Sequence, residues 1–161
     1  MRDSTRPRSV KRPEPAAAEG LALGRLTERL GFHLRLAQAA FYIDFAAVMA
    51  PLDLTQRQSA VLEMIGVNEC VSQVRLAERL GVDRATMMVI IDRLEARGLV
   101  RRERSKGDRR RQDLHLTEAG VQVVAQLNEM IAVHERHFTE RFSPAELAAL
   151  FAALKRIHQQ F

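Results

Sequence analysis

Cysteine and tryptophan are almost absent from this sequence of 161 residues, which contains one Cys and no Trp. A single cysteine excludes an intramolecular disulfide framework and a cysteine-rich zinc site, so we expect a reducing, cytoplasmic location. No apolar run approaches the roughly 20 residues that a membrane-spanning helix needs, and no apolar signal core follows the basic N-terminus. The length suits one globular domain with a tail.

Catalytic sequence patterns are missing as well. There is no glycine-rich phosphate-binding loop, no Gly-x-Ser-x-Gly turn and no nucleophile with a base that we can place. We therefore expect no enzyme, no cofactor and no metal. Two alternatives stay open: His134 and His137 lie three residues apart and could share a metal with a third group, and Cys70, in a predicted turn, is either an ordinary small side chain or an oxidant-sensing thiol.

Positive charge is present in excess, and it is local. The net charge is +5, of which residues 1–19 carry +2 and residues 84–111 carry +6, so the remainder is slightly acidic. A net positive charge indicates that the protein binds nucleic acid or an anionic lipid surface, or merely that its surface is well solvated. The N-terminal segment lacks the apolar face that lipid binding needs. The charge on residues 84–111 therefore favours DNA.

The N-terminal part of the chain divides into an arm and a helix. Residues 1–19 are rich in proline and charge, with almost no large apolar side chains, and are predicted to form a disordered arm. From Leu21 to about Met49, apolar residues recur every three or four positions, which predicts one long helix that is buried on more than one side. Pro51 ends this helix.

Shorter helices with their own capping residues follow. Thr55 and Gln58 form a capping box at the start of the first. Ser72 caps a second helix, which stops at Gly81, and Asp83 caps a third. Two helices joined by a three-residue turn that contains glycine predict a helix-turn-helix.

After the third of these helices, the helical spacing of apolar residues stops. Residues 99–104 and 112–116 are short extended segments on either side of a polar loop that contains Gly107, which predicts a β-hairpin wing. Thr117 caps a second long helix, and Ser143 opens a last helix with a capping box and proline in the first turn.

These features resemble the multiple-antibiotic-resistance regulator (MarR) family of winged-helix transcription factors. The resemblance covers residues 21–161 and rests on short stretches in a fixed order: Leu54-Thr55-Gln56, Leu76-Ala77-Glu78-Arg79-Leu80-Gly81, Asp92-Arg93-Leu94-Glu95, Gly98-Leu99-Val100, Asp108-Arg109-Arg110 and Leu116-Thr117-Glu118-Ala119-Gly120. It implies a mainly α fold, with a winged helix-turn-helix lobe over residues 52–116 and a small β-hairpin wing. Long N- and C-terminal helices, residues 21–50 and 117–161, would form an α-helical dimerisation region.

A two-fold homodimer of this kind places two recognition helices in successive major grooves of double-stranded DNA, roughly 34 Å apart, so we expect a pseudo-palindromic operator. The positions of the recognition helix that the core does not need are Arg84, Thr86, Met88, Val89 and Arg93. Arg84 can reach a guanine edge and Thr86 a base or a phosphate, and a solvated helix end is the alternative for Arg84.

Met88 and Val89 stand where relatives tend to carry polar or basic residues. Methyl contacts to thymine, or readout of DNA shape, are therefore expected to replace hydrogen bonds at these positions. Ser72 and Gln73 open the preceding helix and are expected to contact phosphate.

The wing carries five residues that we expect to take part in DNA binding: Arg104, Lys106, Asp108, Arg109 and Arg110. By the resemblance, Asp108 braces the turn and Arg110 enters the minor groove, which attracts arginine where it is narrow and A·T-rich. The alternative is a basic loop that contacts nothing specific.

An effector site is implied by the resemblance alone, between the dimerisation helices and the lobe. His33, Ala37 and Phe41 share one stripe of the first helix, and Met64 lies on the helix expected to face it. We interpret His33 first as a buried histidine with a hydrogen-bond partner and second as a ligand contact. By analogy, the effector is an aromatic acid or its coenzyme A thioester.

Three classes of function remain open. The favoured one is a dimeric repressor that a small molecule releases from its operator. The second is a constitutive DNA-binding or architectural protein without an effector. The third is an enzyme or a helix-mediated partner protein whose basic wing is incidental.

Overall fold

The computed structural model describes residues 21–68, 70–105 and 112–159, and the predicted arm at residues 1–19 lies outside these ranges. The chain divides into two units, Met1–Ala37 and Gln38–Phe161. The helices are α1 (Leu30–Val48), α2 (Gln56–Val67), α3 (Gln73–Leu80), α4 (Arg84–Ala96), α5 (Glu118–Thr139) and α6 (Pro144–His158), and the strands are β1 (Val100–Arg104) and β2 (Gln112–Leu116). None of the helices described is long and apolar enough to span a membrane.

In the first unit, the prediction of one continuous helix from Leu21 is wrong. A short 3-10 helix spans Gly24–Glu28, and Arg29 is extended before α1 begins. Gly24 adopts φ +53°, in the left-handed region that glycine enters without a steric penalty, so a continuous right-handed α-helix does not extend through this position.

His33 is exposed, so the prediction that it is buried is wrong. The predicted hydrogen-bond partner is present, because its Nε2 lies 2.7 Å from the carbonyl oxygen of Thr27. Since a carbonyl oxygen only accepts, Nε2 carries the hydrogen.

The predicted caps are confirmed in the second unit. The Thr55 N–H donates to Oε1 of Gln58 at 2.9 Å, and the Gln58 N–H donates back to the Thr55 hydroxyl at 3.3 Å. Ser72 Oγ accepts from the Arg75 N–H. Gly81 ends α3 with φ +62°, where its missing Cβ avoids strain. Cys70, in the turn between α2 and α3, is exposed and has φ +56°.

The β-hairpin is also confirmed. The strands β1 and β2 are antiparallel, with Val100 opposite Leu116 and Arg104 opposite Gln112. The Leu114 N–H donates to the carbonyl oxygen of Val71 at 2.8 Å, which ties the hairpin to the segment before α3. One apolar core joins the end of α1, the helices α2 to α4, the hairpin and the part of α5 around Leu127, and its fully buried side chains include Val61, Leu62, Leu76, Met87, Ile91, Leu94, Leu114 and Leu127.

The last helix, α6, contrasts with this core. None of its residues is buried, although its sequence repeats large apolar side chains at helical spacing. Leu150, Phe151, Leu154 and Ile157 are each more than a third exposed in the single chain. A contiguous apolar surface of this kind marks an interaction surface in a folded protein.

A carboxylate connects α1 with α5 inside the second unit. Asp44 Oδ2 lies 2.8 Å from Nδ1 of His134 and 3.0 Å from Nδ1 of His137. His134 is buried, with its ring edge-on to Phe41 and Phe45. In the part of the chain described, no group of three His, Cys, Asp or Glu side chains is arranged to hold a metal ion.

Stability should depend on the charge of Asp44. Burial raises the pKa of this carboxyl, but the hydrogen bonds and charges of His134 and His137 together hold it below its ordinary value of 3.8. The stabilisation is therefore present above pH 3.8 and is lost as the pH falls through the lowered folded pKa. We expect the melting temperature of the wild type to exceed that of Asp44→Asn at pH 6, and this difference to shrink at and below pH 3.8. A difference that is constant from pH 6 to pH 3 would contradict the assignment.

The first turn of α5 lies against the backbone at the base of the hairpin. The Thr117 N–H donates to the carbonyl oxygen of Leu99 at 3.0 Å. A Cβ added at Gly120 would overlap that same oxygen and lie 3.0 Å from the carbonyl carbon. Gly120 is therefore required by the close approach of two backbone segments.

Gly120→Ala should lower the free energy of unfolding by about 3 kcal/mol, because the backbone must shift to make room. Gly66→Ala is the matched control, since Gly66 also lies in a helix but a Cβ there meets only the Leu116 side chain, at 3.2 Å. We expect Gly66→Ala to change stability by less than about 1 kcal/mol, as the helix preference of alanine offsets the contact. Urea unfolding measures the free energy of unfolding of both variants. Equal effects would show that the close approach to the Leu99 carbonyl group does not require glycine at position 120.

Candidate nucleic-acid interface

One face of α4 is free of the core and exposed. Met87, Ile90, Ile91 and Leu94 point inward and are buried. The opposite face is formed by Arg84, Ala85, Met88, Val89, Asp92 and Arg93, all exposed. Exposed apolar side chains beside two guanidinium groups suit a surface that reads base edges and thymine methyl groups while pairing with phosphate.

The first turn of α4 is built around Asp83. Its carboxylate accepts from the Thr86 N–H at 2.8 Å and from the Thr86 hydroxyl at 2.6 Å. These two bonds hold the pKa of Asp83 below its ordinary value, so the cap stays ionised at the positive end of the helix. The hydroxyl proton of Thr86 is committed to this cap, and Thr86 retains only acceptor capacity toward DNA.

Arg84 and Arg97 occupy opposite ends of α4 and differ in their contacts. Within the described ranges, Arg84 has no hydrogen bond or ion pair. Arg97 donates to the carbonyl oxygens of Asp53 at 2.7 Å and of Leu52 at 2.8 Å. Arg84 is therefore available to a ligand, whereas Arg97 fastens α4 to the segment before α2.

The predicted phosphate contacts before α3 differ in exposure. Ser72 is 8% exposed, and its hydroxyl caps the helix, while Gln73 is half-buried. A capping pattern in the sequence does not show how deeply the capping side chain is packed. The phosphate contacts of Ser72 and Gln73 stay predictions.

The hairpin brings Arg104 to the exposed end of β1. The other predicted wing residues, Lys106, Asp108, Arg109 and Arg110, lie outside the described residues, so their roles stay predictions. Arg102, which the sequence did not single out, is turned toward α4 and pairs with Asp92 and Glu95. The alternation of side chains along β1 was the signal available for this, because Arg102 shares a face with the buried Val100.

The predicted effector residues fall in both units. His33 and Ala37 belong to the first unit and are exposed. In the second unit, Phe41 is half-buried and its ring stacks on Phe138 with centroids 3.9 Å apart. Met64 lines a cavity of about 430 Å³ with Asn68, Val71, Arg75, Glu78 and Arg79.

A second cavity, of about 470 Å³, was not anticipated from the sequence. Its lining combines residues of α1, the start of α2 and α4: Gln38, Tyr42, Thr55, Gln56, Arg57, Gln58, Thr86, Val89, Ile90 and Arg93. This lining contains two arginines and no carboxylate. Two guanidinium groups without an opposing carboxylate in the lining make this cavity suited to an anion.

A helix-turn-helix followed by a two-stranded hairpin, with a basic and apolar outward helix face, defines the winged helix-turn-helix class. A sequence profile described as MarR family matches residues 52–111. The putative transcriptional regulatory protein for the hcr operon of Thauera aromatica is 36% identical over 141 residues, which are 87% of this chain and 85% of that protein. The chain belongs to the MarR family of transcriptional regulators.

Solved structures agree with this assignment. The transcriptional repressor CouR bound to a 23-mer DNA duplex is 36% identical and has a TM-score of 0.81, over 85% of this chain and 97% of that one. CouR bound to p-coumaroyl-CoA is 34% identical, with a TM-score of 0.81 over 88% and 99%. The PcaV regulator from Streptomyces coelicolor, in complex with its natural ligand, is 29% identical, with a TM-score of 0.78 over 86% and 98%.

The comparisons confirm the family and the winged-helix fold that the sequence predicted. They also confirm a regulator rather than an enzyme, since the relatives are described as a transcriptional regulatory protein and a transcriptional repressor. The division into an arm, a dimerisation region and a lobe at the residues given above stays a prediction.

The two arginines at the ends of α4 should separate DNA affinity from stability. We expect Arg84→Ala to weaken binding to a duplex selected from a random pool by about 1–3 kcal/mol with an unchanged melting temperature. Arg97→Ala should instead lower the free energy of unfolding by about 1 kcal/mol, because two carbonyl groups lose a charged donor. Fluorescence anisotropy and urea unfolding measure the two effects. Wild-type DNA affinity of the Arg84→Ala protein would show that Arg84 does not contribute to the DNA interface.

Proposed function

We propose that this chain is a dimeric, sequence-specific DNA-binding repressor of the cytoplasm that a small organic anion releases from a pseudo-palindromic operator. The observation that carries the proposal is the outward face of α4, where Arg84 and Arg93 flank the exposed Met88 and Val89. Support comes from CouR, a repressor of similar sequence and fold that has been solved on a DNA duplex.

The dimer is proposed from the unburied apolar side chains of α6. A second copy of the chain would cover Leu150, Phe151, Leu154 and Ile157, and a two-fold interface would use the same surface of both copies. The two copies of α4 would then read two half-sites on one face of the DNA.

The wing supplies the remaining DNA contacts in this proposal. Arg104 extends from β1 beside α4, and Lys106, Asp108, Arg109 and Arg110 follow it in the sequence. We assign Arg110 to the minor groove and Asp108 to the turn that presents it. Phosphate contacts from Ser72 and Gln73 would fix the register of the lobe on the duplex.

An aromatic acid or its coenzyme A thioester is the proposed effector. CouR has been solved with p-coumaroyl-CoA, an aromatic acyl thioester of the predicted class. His33, Ala37, Phe41 and Met64 remain the proposed ligand contacts. An effector releases DNA only if it binds the DNA-incompetent arrangement more tightly than the DNA-bound one.

Electrophoretic mobility shift on duplexes selected from a random pool tests the proposal. We expect the protein to shift one duplex family with two-fold symmetric half-sites, and p-coumaroyl-CoA or a related aromatic acid to abolish the shift. Coenzyme A alone is the matched control for the thioester. Specific binding that no compound of a broad metabolite panel weakens would indicate a constitutive DNA-binding protein, and binding without sequence preference would refute a sequence-specific regulator.

A further inference from the structure

Arg102 joins the wing to the recognition helix. Its guanidinium lies between two carboxylates of α4, with Nη2 2.5 Å from Oδ1 of Asp92 and Nη1 donating to Oε2 of Glu95. Asp92 and Glu95 are three residues apart and therefore share one face of the helix. The Arg102 side chain is 18% exposed, so this bridge is partly shielded from solvent.

The position of Arg102 along β1 determines which part of the hairpin the bridge holds. Side chains alternate along a strand, so Val100, Arg102 and Arg104 point to the same side of the hairpin. Val100 is buried at the base, and Arg104 is exposed at the far end of β1. Arg102 lies between them and holds the middle of the hairpin against α4.

We propose that Arg102 is a positioning residue for operator recognition: it fixes the angle between the hairpin and α4, so that helix and wing engage one operator together. It acts through Asp92 and Glu95 and does not contact DNA itself. This inference rests on the proposed DNA-binding function.

The test compares Arg102→Gln with Arg101→Gln. Arg101 is the matched control because it is the neighbouring arginine, lies on the other side of the strand and pairs with Glu103 on the same strand. Operator affinity is measured by anisotropy across a range of salt concentrations. We expect Arg102→Gln to bind about tenfold more weakly, the size of one lost charge-assisted contact, with the salt slope of the wild type. Arg101→Gln should stay within about twofold of the wild type.

A hydroxyl-radical footprint supplies a readout that a general loss of stability would not give. We expect Arg102→Gln to lose protection where the wing lies and to retain it where α4 lies. If Arg102→Gln does not fold, Arg102→Lys takes its place, since a lysine keeps the charge but lacks the planar fork that bridges two carboxylates. The same loss of wing protection is expected for it.

Three results overturn the inference: wild-type affinity and footprint in the variant that folds, equal loss of helix and wing protection, or a salt slope lower by about one unit, which would mean that Arg102 itself pairs with phosphate. A wild-type protein that binds no selected duplex would refute the proposed function. The wild-type measurement therefore separates failure of the function from failure of the role given to Arg102.

Discussion

The carbonyl oxygen of Leu99 is the point on which the arrangement of the lobe depends. It accepts the N–H of Thr117 at 3.0 Å, and the first turn of α5 approaches it so closely that only glycine fits at position 120. This single junction closes the base of the hairpin and sets where α5 leaves the lobe. A shift there would move the wing and the long helix together, because packed backbone segments do not deform independently.

Polar contacts fix the relative orientation of the helices and the hairpin, which the apolar core alone leaves adjustable. The core holds α2, α3 and α4 around side chains such as Leu76 and Met87, but apolar packing has little directional preference. Direction is added by Arg97, which caps the Leu52 and Asp53 carbonyl groups, and by Arg102, which bridges the hairpin and α4. Arginine is suited to both tasks, because its planar fork offers several donors in fixed directions.

Local features of the fold were predictable from the sequence, whereas contacts between distant residues were not. The caps at Thr55, Ser72 and Asp83 were correct because a cap is decided within four residues. Asp44 lies 90 residues from His134, and no local pattern marks their pairing. The break at Arg29 was missed because apolar spacing continued across it while the backbone did not. The outward face of α4 was predictable from the helical spacing of its apolar residues. The pairing of Asp92 with Arg102 was not, because it forms only when the hairpin packs against α4.

The exposed turn between α2 and α3 has a practical consequence. Cys70 is the single cysteine of the sequence and is exposed in this turn. A maleimide or nitroxide reagent would therefore label one defined place per subunit without any engineered substitution. In the proposed two-fold dimer, the two labels report one lobe-to-lobe distance, so dipolar spectroscopy on the unmodified sequence could follow the lobes as DNA or effector is added.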